Sequence, residues 1–328
     1  MNRSPLALRR RVLRGLAVLT LGMGLAGVAA AQATRHTLRI GYQKYGTLTL
    51  LKARGDLERR LAPQGIAVAW TEFPAGPQLL EGLNVGSIDF GTVGEAPPIF
   101  AQAAGADVVY VANQPPAPAA EAIVVPKGSP LKSVADLRGK RVALNKGSNV
   151  HYLLVRAVAK AGLGWGDITP VYLPPADARA AFERGAVDAW AIWDPFLAAA
   201  EQQLGARVLA DGRQLVSNHQ FYLVSRRYAA QRPQVIGAIV DELAKLDAWA
   251  EKNPGEVARV LAPQIGLELP IVEAAARRFA YGIVPVTPQV AAQQQKIADT
   301  FHALKLIPKP IRIVDALPAP VVATQAAR

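Results

Sequence analysis

One pattern occurs twice in this chain and constrains its fold more than any other feature. The first copy is LLEGLNVGSIDFGTVGEAPP (79–98) and the second is ADARAAFERGAVDAWAIWDP (176–195). Each reads as a short helix, a glycine stop (Gly86, Gly185), an apolar residue and an aspartate (Ile88-Asp89, Val187-Asp188). A brief apolar strand follows, then an acid and a proline. Glycine past a helix end and proline just inside the next helix are the expected punctuation. Two similar units therefore each end a strand at the N-terminus of a new helix. Such a place offers unpaired backbone N–H groups and a positive dipole end, which favour an anion. Two of them facing each other would grip an anionic ligand from both sides.

The rest of the chain extends this reading. Strand-like runs at 38–42, 66–73, 87–93 and 108–112 alternate with helix-like runs at 48–61, 76–83 and 97–104. Alternation of this kind argues an α/β class with a parallel sheet. A Pro/Ala-rich connector at 114–120 then marks a composition shift. Residues 121–126 read as a strand crossing into a second lobe, and 221–225 as a strand crossing back. Between them lie strands at 141–144, 170–173 and 207–209, a helix at 150–161 and the second copy of the repeat. After Arg232-Pro233 the chain is mostly helical, with apolar positions at Val235, Ile239, Val240, Leu243 and Leu246 along one face. The expected layout is a hinged clamshell. A discontinuous first lobe (34–122 and 220–315) and an inserted second lobe (123–219) are joined by two crossing strands. Residues 316–328, rich in Ala, Pro and Val, read as a loose tail.

Composition removes several functions. The 328 residues contain no cysteine, so disulfides, thiol nucleophiles and thiolate metal sites are absent. Residues 1–33 read as a cleavable export signal: Arg3, Arg9, Arg10, Arg11 and Arg14 precede an uncharged apolar run. Ala31-Gln32-Ala33 supplies the cleavage pattern. The paired arginines fit either the twin-arginine or the general route, and periplasmic residence follows from either. The formal charge of +12 overstates the exported protein, because the leader holds five of the 37 Lys and Arg residues. What remains is 32 basic against 25 acidic residues, a net +7. The basic residues are scattered, which gives no footprint for nucleic acid.

Catalytic sets are missing. His36, His151, His219 and His302 form no pair at i, i+4, and there is no nucleophile elbow or phosphate-binding glycine loop. The chain reads as a binding protein, without metal or cofactor. Ligands of open α/β sheets lie beyond the carboxyl ends of the strands. That rule selects four loops: Gln43-Lys44, Gly94-Glu95-Ala96, Gly147-Ser148-Asn149 and Trp193-Asp194. Ser148 and Asn149 either cap the following helix or present its N–H groups to an oxyanion. His151 lies one turn inside that helix, as a ligand contact or a structural histidine. Trp193 is placed as an apolar wall and Lys44 as a positive partner. Glu95 would repel an anion unless it pairs elsewhere or meets a ligand amine.

The residues collected so far resemble a known family. IGYQK (40–44), EFPAGPQLLEGLNVGSIDFG (72–91), GEAPPIFAQAAGADVVYV (94–111), SVADLRGKRVALNKGS (133–148) and PADARAAFERGAVDAWAIWDPF (175–196) are similar to the periplasmic aliphatic sulfonate-binding proteins of ABC importers. The resemblance covers roughly residues 38–315. It implies a type II periplasmic binding-protein fold, with two α/β lobes and a monomeric state. It implies an alkanesulfonate ligand, and an inner-membrane ABC permease with its ATPase as partners. The alternatives it leaves are taurine, nitrate or another small anion or aromatic, and an enzyme on the same fold. The family's ligand loops fall on Gln43, Lys44, Gly94, Glu95, Gly147, Ser148, His151, Trp193 and Asp194. Asn149-Val150 departs from the further serines often found there, and Glu95 stands where aspartate is commoner.

Overall fold

The computed structural model describes residues 36–318, so the expected leader and all but the first three residues of the expected tail lie outside it. The chain begins with β1 (His36–Tyr42), α1 (Gly46–Arg54), α2 (Asp56–Leu61), β2 (Ile66–Glu72), α3 (Gly76–Asn84), β3 (Phe90–Gly94), α4 (Pro97–Ala103) and β4 (Val108–Asn113). There follow β5 (Glu121–Val125), β6 (Arg141–Leu144), α5 (Asn149–Lys160), β7 (Thr169–Tyr172), α6 (Pro175–Glu183), β8 (Ala189–Trp193), α7 (Phe196–Leu204) and β9 (Arg207–Asp211). The last part holds β10 (Gln220–Ser225), α8 (Arg226–Gln231), α9 (Pro233–Lys252), α10 (Pro254–Ile265), α11 (Leu269–Arg278) and α12 (Pro288–Ala303).

Two five-stranded sheets result, in the orders β2-β1-β3-β10-β4 and β7-β6-β8-β5-β9. Neither is wholly parallel, which corrects the sequence expectation. β10 runs antiparallel to β3 and β4, and β5 antiparallel to β8 and β9. The reason is topological. The strands that precede helices finish at the cleft, whereas β5 and β10 each enter their sheet from the hinge, which lies at the cleft, and must run the other way. Glu121–Val125 is therefore an interior strand of the second sheet from its first residue, paired with Trp193 at Glu121.

The connections themselves are 114–120 and 212–219, and they lie side by side. Gln114 N–H donates to Gln220 O at 2.8 Å, Ala117 N–H to Ser217 O at 3.1 Å and Gly212 N–H to Pro118 O at 3.0 Å. A Cβ on Gly212 would stand 2.4 Å from Pro118 O, so only glycine lets the two connections touch.

The two copies of the repeat fold alike. Asp89 accepts hydrogen bonds from the Arg39 backbone N–H at 2.9 Å and from its guanidinium, while Arg39 also donates to Gly86 O. In the second lobe Asp188 accepts from the Arg141 backbone N–H at 2.7 Å, and Arg141 donates to Gly185 O. Each aspartate thus ties the start of its strand to the neighbouring parallel strand. β3 is buried throughout, and in β8 only Trp193 is partly exposed. Both read as continuous apolar runs because both sheet faces are covered by helices.

Two boundaries differ from expectation. The helix expected over 48–61 breaks at Gly55, whose φ of 65° ends α1 in the left-handed region before α2 begins. Ala316, placed at the start of the tail, instead closes a short 3-10 turn, Ile313–Ala316, with its side chain buried.

Candidate functional site

A cleft between the two sheets, open to solvent on one side, spans about 480 Å³ of space including its mouth. Three strand-to-helix junctions border it: Gly76 at the start of α3, Gly94 with Pro97 at the start of α4, and Ser148 with Asn149 at the start of α5. The first N–H groups of a helix have no acceptor inside it, so α3 and α5 aim donors and positive dipole ends at the space, whereas α4 opens with Pro97 and Pro98, which carry no N–H, and its Ile99 and Phe100 N–H groups are bonded to Ala96 O. The side-chain amides of Gln43, Asn149, Asn218 and Gln220 add to them. Gln43 donates to Tyr45 Oη at 3.2 Å, and Tyr45 donates to Gln220 Oε1 at 2.8 Å, which fixes these groups as one chain. Ala117, Ala120, Trp193 and Phe279 form the apolar part of the wall. Asp194 is the one charged side chain among the lining residues. The site therefore meets an anion with neutral dipoles.

Six of the residues singled out from sequence line this cavity: Gln43, Gly94, Ser148, Asn149, Trp193 and Asp194. Their roles are partly different. Ser148 donates its hydroxyl to Asn145 O at 2.7 Å and makes no side-chain cap. The donors available there are the backbone N–H groups of α5. Asn149 reaches across the molecule. Its amide donates to Asn218 Oδ1 at 2.5 Å, and Asn218 in turn donates to Ala117 O at 2.8 Å. Asn149 lies so close to Gly94 that a Cβ on that glycine would stand 1.9 Å from Asn149 Oδ1. Asp194 caps α7 by accepting from Ala198 N–H at 3.0 Å and lies 3.5 Å from Arg278 on the opposite lobe. Burial pushes its carboxyl up to about 7, against the pull of Arg278.

The other five do not line it. Lys44 is not among the residues of this wall; it stands 3.7 Å from Glu72 across the β1–β2 edge and lines an adjoining space with Tyr45, Asp194 and Phe279. Ala96 is buried as the residue before α4. Gly147 takes a φ of 76° beneath the Phe100 ring. His151 has no exposed surface; its Nδ1 accepts from Gly147 N–H at 3.2 Å, and it stacks on Phe100 at 5.9 Å between ring centres. Burial holds its pKa down to about 3. Gly147 and His151 thus form a dry contact between the lobes, joined by Phe301.

Glu95 turns away from the cavity toward the hinge, where it accepts from His219 N–H at 3.1 Å and is 1% exposed. Gln294 donates to its backbone carbonyl. Glu121 lies nearby with both carboxyl oxygens buried and unbonded, and its pKa is raised well above the usual carboxylate value by burial and, secondarily, by the Glu95 charge. Burial pushes Glu95 up to about 7. The folded protein therefore holds a proton there between about pH 4.5 and 7 that the unfolded chain has released, and stability from this group falls as pH rises. Glu95→Gln is expected to gain stability over the parent as pH rises from about 5 to 8. Thermal unfolding of both proteins across that range reads it, and a constant difference would show that Glu95 titrates normally.

Gly76, Tyr45, Asn218, Gln220 and Phe279 were not found from sequence. Gly76 carried the signal in plain view, since FPAGP (73–77) is a third strand end running into a helix with proline in its first turn. It has no polar side chain to attract notice.

The comparisons with known proteins agree with this geometry. A family model described as NMT1/THI5 like matches residues 61–257. A relative from Escherichia coli (strain K12), designated an aliphatic sulfonates-binding protein, is 49% identical over 286 residues, 87% of this chain and 89% of its own length. A solved structure of the alkanesulfonate-binding protein SsuA from Xanthomonas axonopodis pv. citri bound to MOPS is 47% identical, with a TM-score of 0.83, over 86% of this chain and 98% of that one. The periplasmic aliphatic sulphonate binding protein SsuA from Escherichia coli is 48% identical, with a TM-score of 0.78, over 87% of this chain and 92% of that one. No described helix is long and apolar enough to cross a membrane, and no group of three or more potential ligands is placed to hold a metal among the described residues.

Proposed function

Since this chain belongs to the NMT1/THI5-like family, in its aliphatic sulfonate-binding branch, we propose that it captures an aliphatic sulfonate between its lobes for delivery to an ABC importer. The observation that carries this reading is the cavity wall. The N-termini of α3 and α5 and four amide side chains converge there without a lysine or arginine. Backbone N–H groups bind a tetrahedral oxyanion well and can release it again. The apolar residues Trp193 and Phe279 suit the organic tail that sulfate or nitrate lacks.

The mechanism is closure about the paired connections. The ligand touches α3 and α4 on one lobe and α5 and Trp193 on the other, so it favours the closed arrangement by its contacts to both. The hinge residue Asn218 adopts φ 53°, a region asparagine tolerates better than most residues, and its side chain reports the position of α5 through Asn149. The cavity supports binding without turnover. Asp194 is engaged by α7 and Arg278, and His151 lies buried outside the wall.

Isothermal calorimetry with methanesulfonate, longer alkanesulfonates, taurine, nitrate and sulfate tests the ligand class. Saturable binding of alkanesulfonates is expected, with the ligand recovered unchanged. Binding of nitrate or sulfate in preference to every sulfonate would overturn it. We also propose periplasmic residence after removal of the leader between residues 30 and 34. Intact mass of the exported protein decides this, and a mass that retains Arg9 to Arg14 would mean an anchored protein.

A further inference from the structure

Arg278 joins the two lobes at one flank of the cleft. It lies in the last turn of α11, a helix whose two faces serve different lobes. Val272 and Ala276 belong to the core of the first lobe. Ile271 and Ala275, one residue before each, pack on Ala198 and Ala199 of α7 in the second lobe. Arg278 continues this second stripe, seven residues after Ile271 and three after Ala275, so helix geometry turns it toward α7. The facing stripe on α7 has the same design, with Glu201 and Gln202 three and four residues after Ala198. Alanines on both helices allow close approach, and polar groups stand at the end of the contact.

Those groups bond across the boundary. Arg278 Nη2 donates to Glu201 Oε2 at 2.5 Å, Arg278 Nε stands 3.5 Å from Asp194 Oδ2, and Gln202 donates to Pro270 O at 3.2 Å. Asp194 is the link to the ligand site. It lines the cavity and caps α7 with one carboxyl oxygen, while the other, Oδ2, is buried without a hydrogen bond. The 3.5 Å to Arg278 exceeds the about 2.7–2.9 Å of a charge-assisted bond, so a slight further approach of the lobes would complete one. Arg278 itself is not part of the cavity wall.

We propose that Arg278 is a positioning residue for ligand retention: its guanidinium latches α11 to Asp194 and Glu201, holds the Trp193-Asp194 wall in the closed arrangement, and so sets how long the ligand stays. This rests on capture by closure as read above, and it names the residue that governs release. Association reflects encounter with the open form, in which the latch is undone, and does not depend on it. The energy of closure appears in the release rate. Because Arg278 does not touch the ligand, its contribution is one factor common to every ligand that the closed cleft retains. That separates it from Trp193, whose contribution grows with the tail.

Stopped-flow tryptophan fluorescence with methanesulfonate and octanesulfonate reads both rates. Losing hydrogen bonds to charged partners in Arg278→Gln should speed release about tenfold, by the same factor for both ligands, with association unchanged. Arg278→Lys keeps the charge and should recover part of the loss. Glu201→Gln should speed release about threefold, and combined with Arg278→Gln it should add almost nothing, because the two act as one pair. A purely structural role in α11 would lower stability without this rescue or this coupling. Should Arg278→Gln fail to fold, Glu201→Gln carries the test alone. Unchanged release in these variants, or a change in association only, would show that the α7–α11 contact is a fixed pivot. A loss that grows with tail length would place Arg278 in the tail wall. Either result overturns the latch and leaves the function standing. If the parent binds nitrate or sulfate and no sulfonate, the function reading fails, and the release ratio measured with that anion still decides the latch. If none of these anions binds, both fail together.

Discussion

Gly94→Ala weakens alkanesulfonate binding by between about 5-fold and 150-fold, with little change in the stability of the ligand-free protein. The methyl group would meet Asn149 Oδ1 at 1.9 Å in the closed arrangement. Asn149 cannot easily yield, because its amide is bonded to Asn218 in the hinge. Overpacking of this kind costs about 1–3 kcal/mol, and each 1.4 kcal/mol is about tenfold in affinity. The burden falls on the closed state alone. When the lobes part, Asn149 leaves with the second lobe and the methyl group faces open space. Calorimetry gives the affinity, and small-angle scattering with saturating ligand shows whether the lobes still close. Replacing Asn149 by glycine in the same protein removes the obstruction and should recover part of the loss. Parent-like affinity in Gly94→Ala would mean that the ligand is held in a more open arrangement.

Trp193→Ala has the second large effect, and its size depends on the ligand. Trp193 ends β8 at the cavity wall, with its ring set edge-on to Phe196 at 6.2 Å. Losing an aromatic that buries an apolar tail costs about 1.5–3 kcal/mol, roughly tenfold or more in affinity. The headgroup keeps its N–H donors in this variant, so longer alkanesulfonates should lose more than methanesulfonate. Trp70→Ala is the control. Trp70 lies on β2, far along the first sheet, and donates to Glu58 at 2.6 Å. It should change stability and leave affinity untouched. Equal losses for short and long tails in Trp193→Ala would show that this ring is not the tail wall.

How legible the cleft was in the sequence depended on how local its causes are. The repeat revealed two strand ends that face each other, because glycine stops, aspartates and prolines act within a few residues. Phe90 and Trp190, the apolar residues of these two strands, are buried. The partners of the repeat's aspartates, Arg39 and Arg141, lie on adjacent strands about 50 residues earlier and carried no local mark. Lys44 lies beside the wall and not in it, near Glu72 across a strand pair whose register sequence does not state. Glu95 sits in the right loop, but its side chain takes the direction of the hinge, where His219 N–H can satisfy it. Phe279 follows α11, more than eighty residues after the nearest predicted loop, and reaches the cavity only through helix packing. Asn218 and Gln220 stood at the expected crossing, yet a crossing reads as a linker and not as a wall.

The position of β10 sets an order on how the molecule comes into being. β3 and β4 are not bonded to each other; β10, more than a hundred residues later, fills the gap between them. All five strands of the other sheet lie in one continuous run of sequence, from Glu121 to Asp211. As the chain appears from its N-terminus, the inserted half can complete its sheet while the half that was made first still waits with two unpaired strand edges. Closure of that earlier sheet must follow arrival of Gln220–Ser225 and the helices behind it. A chain stopped shortly after Asp211 should therefore contain one finished sheet and one left incomplete at β3, so that truncation exposes the first half and spares the inserted one.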